Sequence, residues 1–414
     1  APLLQGALFV GVAVAWLAYR GNLLRGTGRG AVAEGQGSST LARSATVRRL
    51  GLGAGVLVVA LVAGGATSAI AGLESPRYVL RDVVIPPFDV REYPSPLQSF
   101  RGYVRDAKDQ VLFTVDGLPE GARVRLATMD AYDGVVYNVS GNGAGGSGSF
   151  LRVGERISPA ATLNFTMGAL GGVWVPDAGY PTRLAFEGKR SDDLARSLHY
   201  NPGSGVAVVT SGLREGDSYE MDTVIPGIPS DTALADAVFA GTKMPKQTGI
   251  PLTAASTAGD LTGDADTPIA QARALAAALS TTGFFSHGLE GEPRSRAGHG
   301  AERLDALLGE DQMVGDDEQY ATAMAVMASQ LGIPARVVMG FYPDPKSTGA
   351  SFAATGDTLH VWVEVAFQDL GWVVFDPTPP DDQVPTDEDT KPRTDPKPQV
   401  IQPPPPPQEP VQLP

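Results

Sequence analysis

The chain has 414 residues, a net charge of −14, 50 glycines, 34 prolines and no cysteine. That length suits two or three domains. The cysteine count excludes disulfides, thiolate metal sites and any cysteine nucleophile. Charge is unevenly placed: six arginines, no lysine and one glutamate give residues 1–72 a net +5, so the remainder carries −19. So acidic a remainder excludes a nucleic-acid partner, because phosphate contacts need Lys and Arg.

Residues 2–19 are apolar apart from Gln5, and residues 51–72 carry no charge. Each approaches the ~20 residues that cross a bilayer as a helix. Arg20, Arg25, Arg29, Arg43, Arg48 and Arg49 lie between them, and a positive loop stays cytoplasmic. The expectation is a transmembrane helix at 1–20, an Arg-rich cytoplasmic loop at 21–50 and a transmembrane helix at 51–72. The lipid bilayer is then a partner, the protein sits in the plasma membrane, and residues 73–414 are extracytoplasmic. The chain opens on Ala1 and lacks the positive n-region of a signal peptide, which reads as an internal piece of a longer protein.

Residues 73–228 read as a β-rich, sandwich-like domain. Runs of β-formers at 78–80, 111–115, 124–128, 134–137, 172–176 and 206–210 are separated by turn signals such as Asp116-Gly117 and Asp133-Gly134. Residues 141–149 are a Gly/Ser loop tip. Asp130, Asp133 and Asp177 read as local turn acids, and His199 has no metal-ligand spacing.

Pro226-Gly227 and Ile228-Pro229 mark a boundary. Helices are expected at 267–282, where Thr267 caps and Pro268 opens the first turn, at 300–309, and at 317–331. In the last, Tyr320, Met324, Met327 and Leu331 share a core-facing stripe. Strands follow at 335–342, 359–367 and 371–376. His287 and His299, flanking Arg294 and Arg296 in a Gly-rich loop, read as solvated side chains. From Pro377 the chain turns Pro- and acid-rich, and 381–414 reads as an extended linker or disordered tail.

On the strand at 359–367, Leu359, Val361, Val363, Val365 and Phe367 alternate with His360, Trp362 and Glu364. A tight turn near Asp369 puts Asp376 across from Trp362, on the face of His360. Asp317 lies in the first turn of its helix, beside Asp316 as a ready N-cap and Glu318. Asp316, Glu318 and Trp362 are cleft-lining candidates; helix-start acids usually cap, so no metal or other cofactor is assigned.

Three segments carry a resemblance: Gly315-Asp316-Asp317-Glu318-Gln319-Tyr320-Ala321 with its Gly332-Ile333-Pro334-Ala335-Arg336 exit, His360-Val361-Trp362-Val363-Glu364, and Gly371-Trp372-Val373-Val374-Phe375-Asp376-Pro377-Thr378. In order and spacing, residues 267–380 resemble the transglutaminase-like superfamily, which shares the papain-like cysteine-protease fold. The layout also resembles bacterial, especially actinobacterial, membrane proteins with an outer domain of this kind. The resemblance implies an α+β core at 229–380 and a Cys–His–Asp triad. Here Asp317 fills the cysteine slot, with His360 and Asp376 at the other two positions.

A carboxylate is a poor acyl-transfer nucleophile. The expectation is therefore a pseudoenzyme of the cell envelope, acting as a binding or scaffolding module for a peptide or cell-envelope ligand, with membrane-protein partners. The alternative is a hydrolase or acyl-transfer enzyme using Asp317, His360 and Asp376 as an acid–base or metal site. A third possibility is a membrane assembly factor with a vestigial cleft.

Overall fold

The computed structural model describes residues 92–140, 161–310, 312–343 and 351–385, together with Trp16. The chain divides into two compact units, Ala1–Ile85 and Pro86–Pro414. The two expected membrane spans, the loop between them, the 141–149 tip and residues 386–414 lie outside the described residues. Among the described residues, no helix is long and apolar enough to cross a membrane.

In chain order the second unit runs α1 (Phe100–Asp106), β1 (Phe113–Asp116), β2 (Val124–Met129), β3 (Ala131–Tyr132), β4 (Tyr137–Asn138), β5 (Ala161–Met167), β6 (Gly172–Val175), β7 (Tyr180–Glu187), α2 (Ser191–Ser197), β8 (Leu198–Asn201), β9 (Val206–Leu213) and β10 (Ser218–Val224). It continues with α3 (Asp231–Ala235), α4 (Ala254–Thr262), α5 (Pro268–Thr282), β11 (Phe284–Phe285), α6 (Ala301–Gly309), β12 (Val314–Gly315), α7 (Asp317–Gln330), β13 (Ala335–Phe341), β14 (Ser351–Ala354), β15 (Leu359–Phe367) and β16 (Gly371–Phe375). Helix α5 begins as its sequence dictates, with Pro268 in the first turn and the Thr267 hydroxyl accepting from the Ala270 N–H.

The expected division at residue 228 does not hold as a structural boundary. The core sheet has the order β16-β15-β13-β2, so a strand from the first half closes its edge. The larger sheet has the order β14-β1-β5-β10-β7, so a strand from the second half pairs with β1. Hydrogen bonding drives both exchanges. All six residues of β2 are buried, and a buried strand needs partners for its backbone groups on both edges or a cover over the free one. One side of β2 takes β13; on the other, Arg125 exchanges both main-chain hydrogen bonds with Asp177. A three-stranded sheet, β6-β9-β8, and the two-stranded β3-β4 complete the β-rich part.

Helix α7 packs on β13 and β15 and against α4 and α5. It is buried from Asp317 to Ala328. The stripe reading therefore understates it: Ala321, Ala325 and Val326 are as buried as Tyr320, Met324 and Met327. Leu331 departs from the expected stripe, being 36% exposed just past the last turn. Residues 381–385 are described, and Gln383 is fixed there: its side-chain amide donates to the carbonyls of Ser280, Thr281 and Gly283, and its own carbonyl accepts from the Phe285 N–H. Those carbonyls are the free ends of helix α5, which supply the acceptors that hold the strap at 381–385.

Candidate functional site

The start of α7 is set by a capping box. Asp316 Oδ1 accepts from the Glu318 N–H, and Gln319 Oε1 accepts from the Asp316 N–H. Three consecutive carboxylates then leave the helix start, and each meets a different histidine. His287 Nδ1 lies 3.3 Å from Asp316 Oδ2, His360 Nδ1 lies 3.2 Å from Asp317 Oδ2, and His299 Nδ1 lies 2.7 Å from Glu318 Oε1. A carboxylate accepts, so each ring N–H donates.

His287 and His299 are therefore not solvated loop side chains. His299 is 1% exposed, and its Nε2 accepts from the Tyr137 N–H, so both ring nitrogens are used. Its role is to pin the loop before α6 to β4 and to Glu318. Glu318 also accepts from the Gly298 N–H and Gln319 Nε2; it belongs to this structural network and not to an open cleft. Asp316 is fully buried and receives Arg101 from α1 at 2.8 Å as well as His287. Burial opposes the charge on Asp316, but His287 and Arg101 outweigh it and hold the carboxyl below its usual value. Burial pulls the His287 pKa down, and the Asp316 carboxylate more than restores it, leaving it raised.

Asp317 and His360 are brought together as a direct pair. Asp317 is nearly buried, and the His360 side chain keeps 27% exposure. The imidazole stacks on Tyr342, with centroids 4.1 Å apart and planes 13° from parallel. Asp381, in the strap after β16, has its carboxyl pushed up first by burial and then by the charge of Asp317.

Asp376 sits where register places it. Val363 faces Phe375 and Glu364 faces Val374, which carries Asp376 opposite Trp362. Yet it is not hydrogen-bonded to His360. Both of its oxygens are taken by Arg123, at 2.8 and 2.7 Å. The Arg123 guanidinium lies 4.4 Å from the Tyr342 ring and 5.1 Å from that of Trp362. A bidentate, ring-stacked guanidinium binds a carboxylate more firmly than a single imidazole N–H does, which is why parity alone misplaces the contact. Trp362 is 1% exposed and gives its indole N–H to Glu364 at 3.3 Å, so it packs beneath the site.

Asp177, read as a turn acid, is instead a buried partner of Arg125, and burial raises its pKa to about 6. Asp133 does serve its turn, accepting from the N–H groups of Val135 and Val136. Among the described residues, no three His, Asp or Glu side chains are grouped to hold a metal ion.

Residues 255–377 match the family model of the transglutaminase-like superfamily, and this part of the chain belongs to that superfamily. The chain is 38% identical over 80 residues to the uncharacterized protein YebA of Bacillus subtilis, a stretch covering 18% of this chain and 11% of that protein. Two crystal structures of the periplasmic domain of TgpA from Pseudomonas aeruginosa are similar to it. The form bound to ethylmercury is 18% identical with a TM-score of 0.45, covering 68% of this chain and 93% of that one. The other is 19% identical, also with a TM-score of 0.45, covering 68% and 91%.

Proposed function

We propose that this chain is a catalytically silent member of its superfamily, serving as an extracytoplasmic binding or scaffolding module of a bacterial membrane protein. The observation that carries this reading is the Asp317–His360 contact. A thiol nucleophile is activated when a neighbouring histidine accepts its proton. Here the ring nitrogen facing the slot donates to a carboxylate, so it is not free to take a proton from anything placed there. The Arg123 clamp on Asp376 supports the same reading, because it withdraws the acid that would orient the imidazole. The membrane setting rests on the two charge-free runs at 2–19 and 51–72 with arginines between them. A peptide or cell-envelope ligand and membrane-protein partners follow from that setting.

The test compares the whole chain with Asp317→Cys and with Asp317→Cys/His360→Ala, for peptide hydrolysis and for exchange of a glutamine carboxamide with an amine. The expected result is turnover in Asp317→Cys alone. Wild-type turnover that disappears in His360→Ala would sink the silent reading in favour of an enzyme using Asp317 and His360 as an acid–base pair.

A further inference from the structure

On the face of the core sheet that carries His360, the fold opens into a cavity of about 680 Å³, within the ~300–1,000 Å³ range of small-ligand pockets. Trp362 and Asp376 line it and also border the His360 site, so the cavity begins where the triad-equivalent positions end. Register explains its floor: Arg336 on β13 lies opposite Glu364 on β15, which lies opposite Val374 on β16. The loop with Pro226-Gly227 and Ile228-Pro229, which the sequence marks as a domain boundary, forms part of its rim, and Ile228 there is 87% exposed.

Three guanidinium groups reach this cavity, and they are not equivalent. Arg336 is buried and each of its nitrogens has an acceptor: Nε and Nη2 donate to Glu364, Nη1 donates to the Gly203 carbonyl, and its carbon lies 3.8 Å from the Trp372 ring. Arg125 is 7% exposed; it gives Nε and Nη2 to Asp177 and Nη2 also to the Gly179 carbonyl. Its Nη1 has no acceptor among the described residues. Nor can Arg125 retreat, because Gly205, at φ +74°, crowds it so closely that a Cβ there would lie 2.8 Å from Nη2. Arg123 keeps 24% exposure and is paired with a half-exposed Asp376. The pair is bidentate, but its carboxylate is half exposed, so a second carboxylate that also engages Arg125 can compete with Asp376 for this guanidinium. The cavity thus offers one guanidinium donor without an acceptor among the described residues and one donor pair open to competition, walled by Tyr180, Trp362 and Trp372.

We propose that this cavity binds the C-terminal carboxylate of a short peptide. One carboxylate oxygen takes Arg125 Nη1, the other displaces Asp376 from Arg123, and the terminal apolar side chain lies against the Trp372 and Tyr180 rings. Glu364, in the same lining, supplies an acceptor for the peptide's N–H groups. The proposal names the ligand class of the binding module argued above and rests on that reading.

Binding is measured on the whole chain by tryptophan fluorescence and by calorimetry. The probes are N-acetyl-Ala-Phe, its C-terminal amide and 3-phenylpropionate. The free-acid peptide should bind saturably, and the amide and phenylpropionate each at least 10-fold more weakly. Arg123→Gln should weaken the peptide at least 10-fold with an unchanged melting temperature. Asp376→Asn should tighten it by removing the competing carboxylate. Equal binding of acid and amide, equal binding of phenylpropionate, no saturable binding, or an unaffected Arg123→Gln would each overturn the proposal. A wild type that turns over substrate would overturn the silent reading instead. A silent wild type without carboxylate-selective binding would overturn only this inference.

Discussion

His360 donates its Nδ1–H to Asp317 across 3.2 Å, at the point where the superfamily's triad would set a thiol against its base. The substitution leaves the local structure intact. Asp316 caps the helix, Gln319 closes the box, and a carboxylate in the first turn suits the positive end of the helix. The helix start therefore needs no thiol at this position to form.

Removing that side chain should cost little. Asp317→Ala loses one partly exposed hydrogen bond and one first-turn charge, a combined ~1–2 kcal/mol. Thermal unfolding checks this, and a loss as large as a core truncation would mean that Asp317 is a structural keystone.

Arg123 should act as a second lock. With a thiol at 317, Arg123→Gln frees Asp376 to orient His360, and turnover should rise by roughly 10-fold or more over Asp317→Cys alone. The comparison of kcat between the single and double variants decides it. Equal kcat values would mean that the Arg123–Asp376 pair is irrelevant to the imidazole.

Asp316→Asn should destabilise the protein by about 3 kcal/mol, because it leaves Arg101 and His287 facing a buried neutral amide. The pH dependence has a definite sign. The raised His287 pKa gives stability that is complete below the ordinary histidine value and is lost as pH rises through the raised one. The lowered Asp316 pKa gives stability that is complete above the ordinary aspartate value and is lost as pH falls through the lowered one. The gap between wild type and variant should therefore be widest at mildly acidic pH and narrow on both sides. Arg101 keeps a remainder at high pH, while Asp317 and Glu292 also face His287 and favour its charge. Urea titrations across pH read this directly; a gap independent of pH would refute the assignment.

Gly340→Ala should be severe. A Cβ there would stand 2.8 Å from the Trp362 ring, and nearer still to the Val124 carbonyl of the adjoining strand. Overpacking of this kind costs about 2 kcal/mol or more, and the β13–β2 edge should be where amide exchange accelerates first.

Much of the second half was legible because its signals are local. The Thr267-Pro268 helix start, the alternation at 359–367 and the register that puts Asp376 opposite Trp362 all need only neighbouring residues. What could not be read depends on distance in sequence. Strand β14 has only four residues and exists by pairing with β1, more than 230 positions earlier. Arg101 and Arg123 reach the site from the first half, and no motif near them announces it. The alternation of Tyr219, Met221 and Thr223 does mark β10 locally. For His287 and His299 the Gly-rich surroundings suggest solvent, whereas their partners lie at the start of α7.

The interleaving of β2 with β13 sets a timetable for biogenesis. During synthesis β2 emerges some 200 residues before its partner, with every side chain destined for burial in a sheet that does not yet exist. Such long-range pairing folds slowly, and an unpaired edge invites association with other chains. A ribosome- or translocon-bound intermediate that has passed β2 but not β13 should therefore be the most aggregation-prone stage in this protein's production, and the stage most dependent on chaperones.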